Sequence, residues 1–257
     1  MTTDRPRLGT PQWWDLRTTE NTRSGGPGRP PLQLDQICAA ALEILDRDGL
    51  DALSMRTLAQ HLGSSTSTLY RQLPAGKDEL SILLVDRIMG EMVVSMVETG
   101  HSTDTAGNTP DATGPGDGAP TDWRAFVESR ALIAFTVFCR HPHAAVLFTA
   151  QTPSGPMAML RSEASLQALV AFGFPPAIAI RIDSSLSRLI IGYALQLAVD
   201  EPDEQARIRE YLETMDPERF PVLHEVADVL QVDLVTEFRF AVRAFVAGLA
   251  PHRLSEP

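Results

Sequence analysis

The side chains between Thr66 and Gln72 are of the kinds that read nucleic-acid bases. Arg71 can bond guanine bidentately, Gln72 can bond adenine, and the methyl groups of Thr66 and Thr68 can meet those of thymine. The hydroxyls of Thr66, Ser67 and Tyr70 suit phosphate oxygens. Such chemistry needs a helix that is pinned by one buried residue and turns its other faces outward. On a helix over residues 65–73, Leu69 is the inward position, and Thr66, Ser67, Thr68, Tyr70, Arg71 and Gln72 are free of the core.

The flanking residues predict how that helix is held. Leu58, Ala59 and Leu62 give a preceding helix one apolar face, Gly63 makes a corner, and Ser64–Ser65 offer capping hydroxyls before Pro74 ends the second helix. A small residue, a turn glycine four later and a buried leucine six after that is helix-turn-helix spacing. Upstream, residues 34–48 read as a helix with Ile37, Ala41 and Leu45 on one face, Cys38 and Leu42 beside them, and Gly49 as its C-terminal cap. Ser54 is the expected cap of the middle helix, with Leu53 and Leu58 as a hydrophobic staple. Lys77 opens a further helix whose first turn carries Asp78 and Glu79, acids favourable to the helix dipole.

The stretch AALEILDRDGLDALSMRTLAQHLGSSTSTLYRQLPAGKDEL resembles the DNA-binding region of the TetR (tetracycline-repressor) family of bacterial regulators. The resemblance covers residues 32–80, and the Leu69–Tyr70 pair followed by Lys-Asp-Glu-Leu is its most specific part. It implies that Tyr70 and Lys77 hold the DNA backbone, that Arg56 starts the approach, and that Thr66, Ser67, Thr68, Arg71 and Gln72 face bases. Three departures are visible: Ser64 replaces an apolar residue, Gln72–Leu73 replaces a His-aromatic pair, and Ala75–Gly76 lengthens the next turn. The ending VTEFRFAVRAFVAGLA is similar to the last helix of tetracycline-repressor-type C-terminal domains.

The net charge of −11 argues against a generic nucleic-acid coat but permits a local reading face. At 257 residues the chain can bury a sizeable core, and 44% hydrophobic residues is a globular composition. Cys38 and Cys139 both fall in apolar helical patterns, so two buried, reduced thiols are expected. No apolar run is long enough for a membrane helix and no signal-peptide pattern opens the chain, so a cytoplasmic protein without membrane contact is expected.

Residues 1–31 lack periodicity. Five arginines against Asp4, Asp15 and Glu20 give residues 1–29 a net charge of +2, so a disordered basic arm is expected there, able to reach a minor groove. Trp13–Trp14 is unusual in such an arm; it is read as part of an unstructured leader in preference to a small docking element. Residues 32–80 form the expected DNA-binding domain, and residues 81–251 a larger helical domain for ligand binding and dimerisation, interrupted by a flexible loop at 100–121. Its first helix, over residues 77–99, carries an apolar stripe through Leu84, Ile88, Met92 and Met96 and couples the two domains. The expected fold is all-α.

Trp123, Phe135, Phe138, Phe148, Met157, Phe172 and Tyr193 are candidate lining for a ligand cavity, with Arg130, Asp183, Arg188 and Gln196 as polar anchors. Ile182, Leu186, Leu189 and Leu197 form one apolar stripe, and Leu234, Phe238, Phe245 and Leu249 another; together they predict a four-helix dimer interface. Cys139-x-His141-x-His143 straddles a helix end beside Pro142 and has no further Cys/His partner nearby, so neither a metal nor any cofactor is expected. No nucleophile–base arrangement stands out, and Ser154-Gly-Pro is preceded by no strand, so no catalytic residue is assigned. These features point to a homodimeric DNA-binding regulator on a palindromic operator, most simply a repressor released by a small apolar or aromatic effector. Gating by a protein partner is a first alternative and a helical enzyme a second.

Overall fold

A computed structural model describes residues 6–23, 33–99, 122–198, 202–226 and 233–253. These residues are helical, with no strand among them. The α-helices are α1 (Pro11–Arg23), α2 (Leu34–Asp48), α3 (Met55–His61), α4 (Thr66–Gln72), α5 (Lys77–Glu98), α6 (Trp123–Arg140), α7 (Pro156–Ala171), α8 (Pro176–Ala194), α9 (Pro202–Glu213), α10 (Pro221–Glu225) and α11 (Leu234–Ala247). Short 3₁₀ turns lie at Ala145–Phe148, Leu195–Ala198 and Ala250–His252.

Helices α2, α3 and α4 form a small head. Ile37 and Leu45 of α2, Leu53 and Leu58 around α3, and Leu69 and Leu73 around α4 are all fully buried. The caps follow the local sequence. Ser54 Oγ accepts from the Thr57 amide (3.1 Å) while Thr57 Oγ1 accepts from the Ser54 amide (2.9 Å), a reciprocal box. Ser65 Oγ accepts from the Thr68 amide (3.2 Å) and starts α4. Gly63 takes φ +57° at the corner, as its position requires.

Helix α5 is the spine. Leu80, Leu84, Ile88, Met92 and Met96 are buried along it, and it packs on α2 of the head and on α6 and α7 of the body. The body surrounds it with α6, α7, α8 and α11. Head and body are tied again at His141, the C-cap of α6. Its Nδ1 lies 2.7 Å from Asp46 of α2 and its Nε2 lies 3.0 Å from Glu91 of α5. Carboxylates only accept, so both bonds form when both ring nitrogens carry protons.

Three expectations are corrected by the fold. The basic arm is not structureless throughout: Pro11–Arg23 is a helix, and Trp13 is buried to 5% exposure. Helix α1 has no amphipathic period to announce it; it is held by docking, with the Gly9 carbonyl accepting from Ser154 Oγ (2.7 Å) and Trp13 set edge-on to Trp14. Residues 24–32 and the expected loop at 100–121 lie outside the described residues. Cys38 is buried, but Cys139 is exposed, because it sits one residue past the inward Val137–Phe138 pair and rotates off the core face. Third, Ile182, Leu186, Phe238 and Leu249 are buried inside the single chain and so are not free to meet a second copy. Phe238 stacks on Phe135 of α6 with ring centroids 4.2 Å apart, so this part of the apolar stripe is covered by the protomer's own helices.

Candidate nucleic-acid interface and helical-domain cavity

Helix α4 presents the face foreseen from its residue types. Leu69 is fully buried and anchors it, while Thr66, Ser67, Tyr70 and Arg71 are exposed and Thr68 and Gln72 half-buried. The hydroxyls of Ser65, Ser67 and Thr68 form a local network with contacts of 2.9 Å, and the Arg71 guanidinium rests on Thr68 Oγ1 at 3.3 Å. Arg56 at the start of α3 is exposed. Tyr70 lies over Gly76, which takes φ +62° at the entry to α5; a Cβ there would stand 3.0 Å from the ring. The lengthened turn therefore needs glycine both for its backbone and for the tyrosine. Lys77 is half-buried and donates to the Leu50 carbonyl (3.1 Å), tying α5 to the turn after α2.

Two residues that the sequence did not single out hold the far end of α4. The Arg17 guanidinium of α1 donates to the carbonyl of Gln72, and its Nε lies 3.3 Å from Glu79 Oε1. The Arg17 side chain is 12% exposed and that of Glu79 is 3% exposed. Glu79 Oε2 also accepts from the Ala75 amide (3.0 Å). Glu79 had looked like an ordinary first-turn acid; its burial is visible only once α1 is docked.

In the body, the seven aromatic and methionine residues expected around one cavity are not brought together. Trp123, Phe135 and Phe138 are core, paired with Phe174, Phe238 and Phe148 respectively. Phe172 packs on Phe126 and Tyr193 on Phe238. Large flat side chains fill space when rings of neighbouring helices interlock. Of the seven, only Phe148 lines a cavity of about 250 Å3 between α5, the Ala145–Phe148 turn, α7 and α8. Met157 lies at a different cavity.

The polar side of that cavity is better defined. Arg161 of α7 pairs with Asp183 of α8 at 3.2 Å, both nearly buried. Arg130, 5% exposed, donates to the Arg161 carbonyl (3.2 Å) and lies over the Phe126 ring. Burial, with Arg161 close by and Asp183 opposing, brings the Arg130 guanidinium down to about 10. Two buried guanidiniums against one carboxylate leave an excess positive charge. The Nε of Arg161 and the Nε2 of Gln151 find no hydrogen-bond partner among the described residues, and both residues line the cavity. Of the four polar anchors expected from sequence, Asp183 and Arg188 line it, whereas buried Arg130, which reaches it only through the Arg161 carbonyl, and exposed Gln196 do not. Arg161 was missed because an arginine on α7 reads as a solvated residue until α8 brings Asp183 to it. Among the described residues no cluster of His, Cys, Asp and Glu suits a metal ion, and no helix is long and apolar enough to cross a membrane.

Comparison with known proteins places this geometry in a family. Residues 37–82 match the family model of bacterial regulatory proteins of the tetR family, and residues 115–252 match the tetracyclin repressor-like C-terminal domain. An HTH-type transcriptional regulator of Saccharopolyspora erythraea is 28% identical over 91% of this chain and 96% of its own. The HTH-type transcriptional repressor DrrR1 of Streptomyces coeruleorubidus is 34% identical over 57% of this chain and 45% of its own. The crystal structure of the Streptomyces coelicolor TetR family protein ActR in complex with actinorhodin is 26% identical, covers 86% of this chain and 98% of that one, and superposes with a TM-score of 0.68. The match to the C-terminal domain spans more than half of the chain and the match to the DNA-binding domain overlies α2, α3 and α4, and the chain belongs to the TetR family of bacterial transcriptional regulators.

Proposed function

We propose that this regulator reads a palindromic operator as a two-fold dimer through α4 and leaves it when a small molecule fills the cavity between α7 and α8. The observation that carries this is the outward face of α4, on a helix pinned by fully buried Leu69. Thr66, Ser67, Thr68, Arg71 and Gln72 meet bases, while Tyr70, Arg56 and Lys77 meet phosphates. Lys77 uses one ammonium proton on Leu50 and has two more to give. The action is repression relieved by an effector, a reading supported by DrrR1 being a transcriptional repressor and by ActR forming a complex with actinorhodin. The protein works in the cytoplasm and catalyses nothing.

The cavity supports a more polar effector than its aromatic neighbours first indicated. Arg161 and Arg188 against the single carboxylate of Asp183 leave the lining with excess guanidinium charge, which favours an aromatic molecule with carboxylate or phenolate oxygens. Met89, Phe148 and Ile191 supply the apolar wall. Helix α5 carries the signal: it borders the cavity at Met89 and begins next to α4. A tilt of α5 changes the separation of the two recognition helices from the roughly 34–36 Å of one DNA turn. A coupling of about 1–3 kcal/mol lowers operator affinity about 5- to 150-fold.

Dimerisation uses the faces of α8 and α11 that the protomer leaves open. Phe240 is 75% exposed, and Ile180, Val235, Gly192 and Ala244 are exposed on the same two helices. Gel shift of the purified protein on its own upstream DNA tests the function. Sequence-specific retardation is expected, and Arg71→Ala loses about 1–3 kcal/mol and relaxes preference at one base position. Equal retardation of unrelated DNA, unchanged by Arg71→Ala, would remove α4 as the reader.

A further inference from the structure

Helix α1 is tied at one end to the cavity wall and at the other to the recognition helix. Just before its first turn, the Gly9 carbonyl accepts from Ser154 Oγ (2.7 Å). Gly9 takes φ +74°, and a Cβ on it would stand 3.5 Å from Ser154 Oγ and 3.6 Å from the Ile82 side chain of α5. Roughly two helical turns later, Arg17 donates to the carbonyl of Gln72, the last residue of α4, and pairs with Glu79 in the first turn of α5 (3.3 Å). Between the two ties Trp13 is buried in the core, with Leu8 and Trp14 packed partly buried against it.

Ser154 belongs to the segment that joins the Ala145–Phe148 turn to α7. The three residues before it, Gln151, Thr152 and Pro153, line the cavity between α7 and α8. The α7 end of the segment is fixed to α5, because Asp86 accepts from the amides of Met157 (2.9 Å) and Ala158 (3.1 Å). A molecule in the cavity therefore meets Thr152 and Pro153 directly, and whatever displaces them displaces the Ser154 hydroxyl beside them. Coupling between distant sites runs through packed, rigid elements, and α1 is such an element.

We propose that α1 is a strap that carries the position of the cavity wall to the C-terminal end of α4, in parallel with the path along α5; this rests on the reading of α4 and of the cavity given above. With both ties made, Arg17 holds the Gln72 carbonyl and compensates the buried Glu79 carboxylate. Withdrawal of Ser154 frees the Gly9 end, lets α1 shift on the core, and slackens the Arg17 end. The recognition helix then loses its hold at Gln72 while Leu69 still anchors its middle.

The test is residue-resolved amide hydrogen exchange of the full chain. The amides of Leu73, Ala75 and Gly76 report on the end of α4; they donate to the Leu69 carbonyl (2.7 Å), to Glu79 Oε2 (3.0 Å) and to the Leu73 carbonyl (2.9 Å). In Ser154→Ala they are expected to exchange about 3- to 10-fold faster, the loss of one hydrogen bond transmitted to a local opening. Gly9→Ala, strained at positive φ, should act in the same direction. Ser154→Thr keeps the hydroxyl and is expected to exchange as wild type. The amides of Val242 and Val246 on α11 report global opening and should keep wild-type rates in Ser154→Ala. In Arg17→Met the end of α4 is already released, so adding Ser154→Ala should change its exchange by less than about 2-fold. Affinity for the protein's own upstream DNA in gel shift should fall with the exchange, about 3- to 10-fold in Ser154→Ala. Unchanged exchange at Leu73, Ala75 and Gly76 in Ser154→Ala overturns the proposal. So does an equal acceleration with and without Arg17, which would route the effect around α1, or faster exchange with unchanged operator affinity. Exchange is read without DNA, so a lack of sequence-specific retardation in wild type strikes the reading of α4, and the strap stands or falls on the exchange rates.

Discussion

Replacing Arg17 with methionine tests whether α1 is part of the DNA-reading machinery. The guanidinium is 12% exposed and faces a Glu79 carboxylate that is 3% exposed, and it also donates to the last carbonyl of α4. Removing one partner of a buried ion pair costs about 3–5 kcal/mol, because the other charge is left uncompensated. Glu79 keeps its bond from the Ala75 amide, which places the loss toward the lower end, about 3 kcal/mol. At about 2–4 °C per kcal/mol for a chain of this size, the melting temperature should fall by about 6–12 °C. Glu79→Gln removes the charge that needs Arg17, so the double variant should lose less than the sum of the single ones, with a coupling of about 1–3 kcal/mol. Operator affinity should fall in Arg17→Met as well, since the C-terminal end of α4 loses its anchor. Thermal and urea unfolding with gel shifts measure all three. A melting point within about 2 °C of wild type, with unchanged operator affinity, would show that α1 is an appendage and that the burial of Glu79 is satisfied without it.

Other outcomes follow from separate features. Phe240→Glu should convert the dimer to monomer in sedimentation at micromolar concentration while leaving the fold intact, because Phe240 is 75% exposed in the protomer. A thiol reagent should label Cys139 quickly in the folded protein and Cys38 only on unfolding: burial pushes the Cys38 thiol up to about 11, and little thiolate exists at neutral pH. Asp86 gives a pH dependence of known sign. Burial raises its carboxyl above the ordinary 3.8, outweighing the amides of Ala158 and Met157, so its stabilising contribution is full below that ordinary value and is lost as pH rises through the higher folded value. Asp86→Asn keeps an acceptor for both amides without a charge to bury; it should melt above wild type at about pH 7, and the gap should close as pH falls to about 4. A gap that widens on acidification would refute this account.

What the sequence by itself determined was local. Residues 34–48 read as a helix capped by Gly49, Ser54 and the pair Ser64–Ser65 read as sources of caps, and Leu69 read as the anchor of an outward face; all of these follow from spacing within one or two turns. The spine was legible for the same reason: the stripe through Leu84, Ile88, Met92 and Met96 is buried as its period required. What only the tertiary structure decided was which partner covers each face. Periodicity shows that one side of α8 or α11 is apolar, but not whether the protomer or a second copy lies against it, and Ile182 and Phe238 turned out to face inward. Aromatic residues on the body helices line a cavity or fill it depending on how closely the helices approach, and the rings of Phe135 and Phe238, 4.2 Å apart, fill it. Helix α1 carries almost no pattern of its own, because its stability comes from burying Trp13 and from pairing Arg17 with a residue far along the chain. Buried charge is the least legible feature of all. Glu79 and Arg161 look like solvated residues in sequence, and only the juxtaposition of separate helices excludes the water that would otherwise surround them.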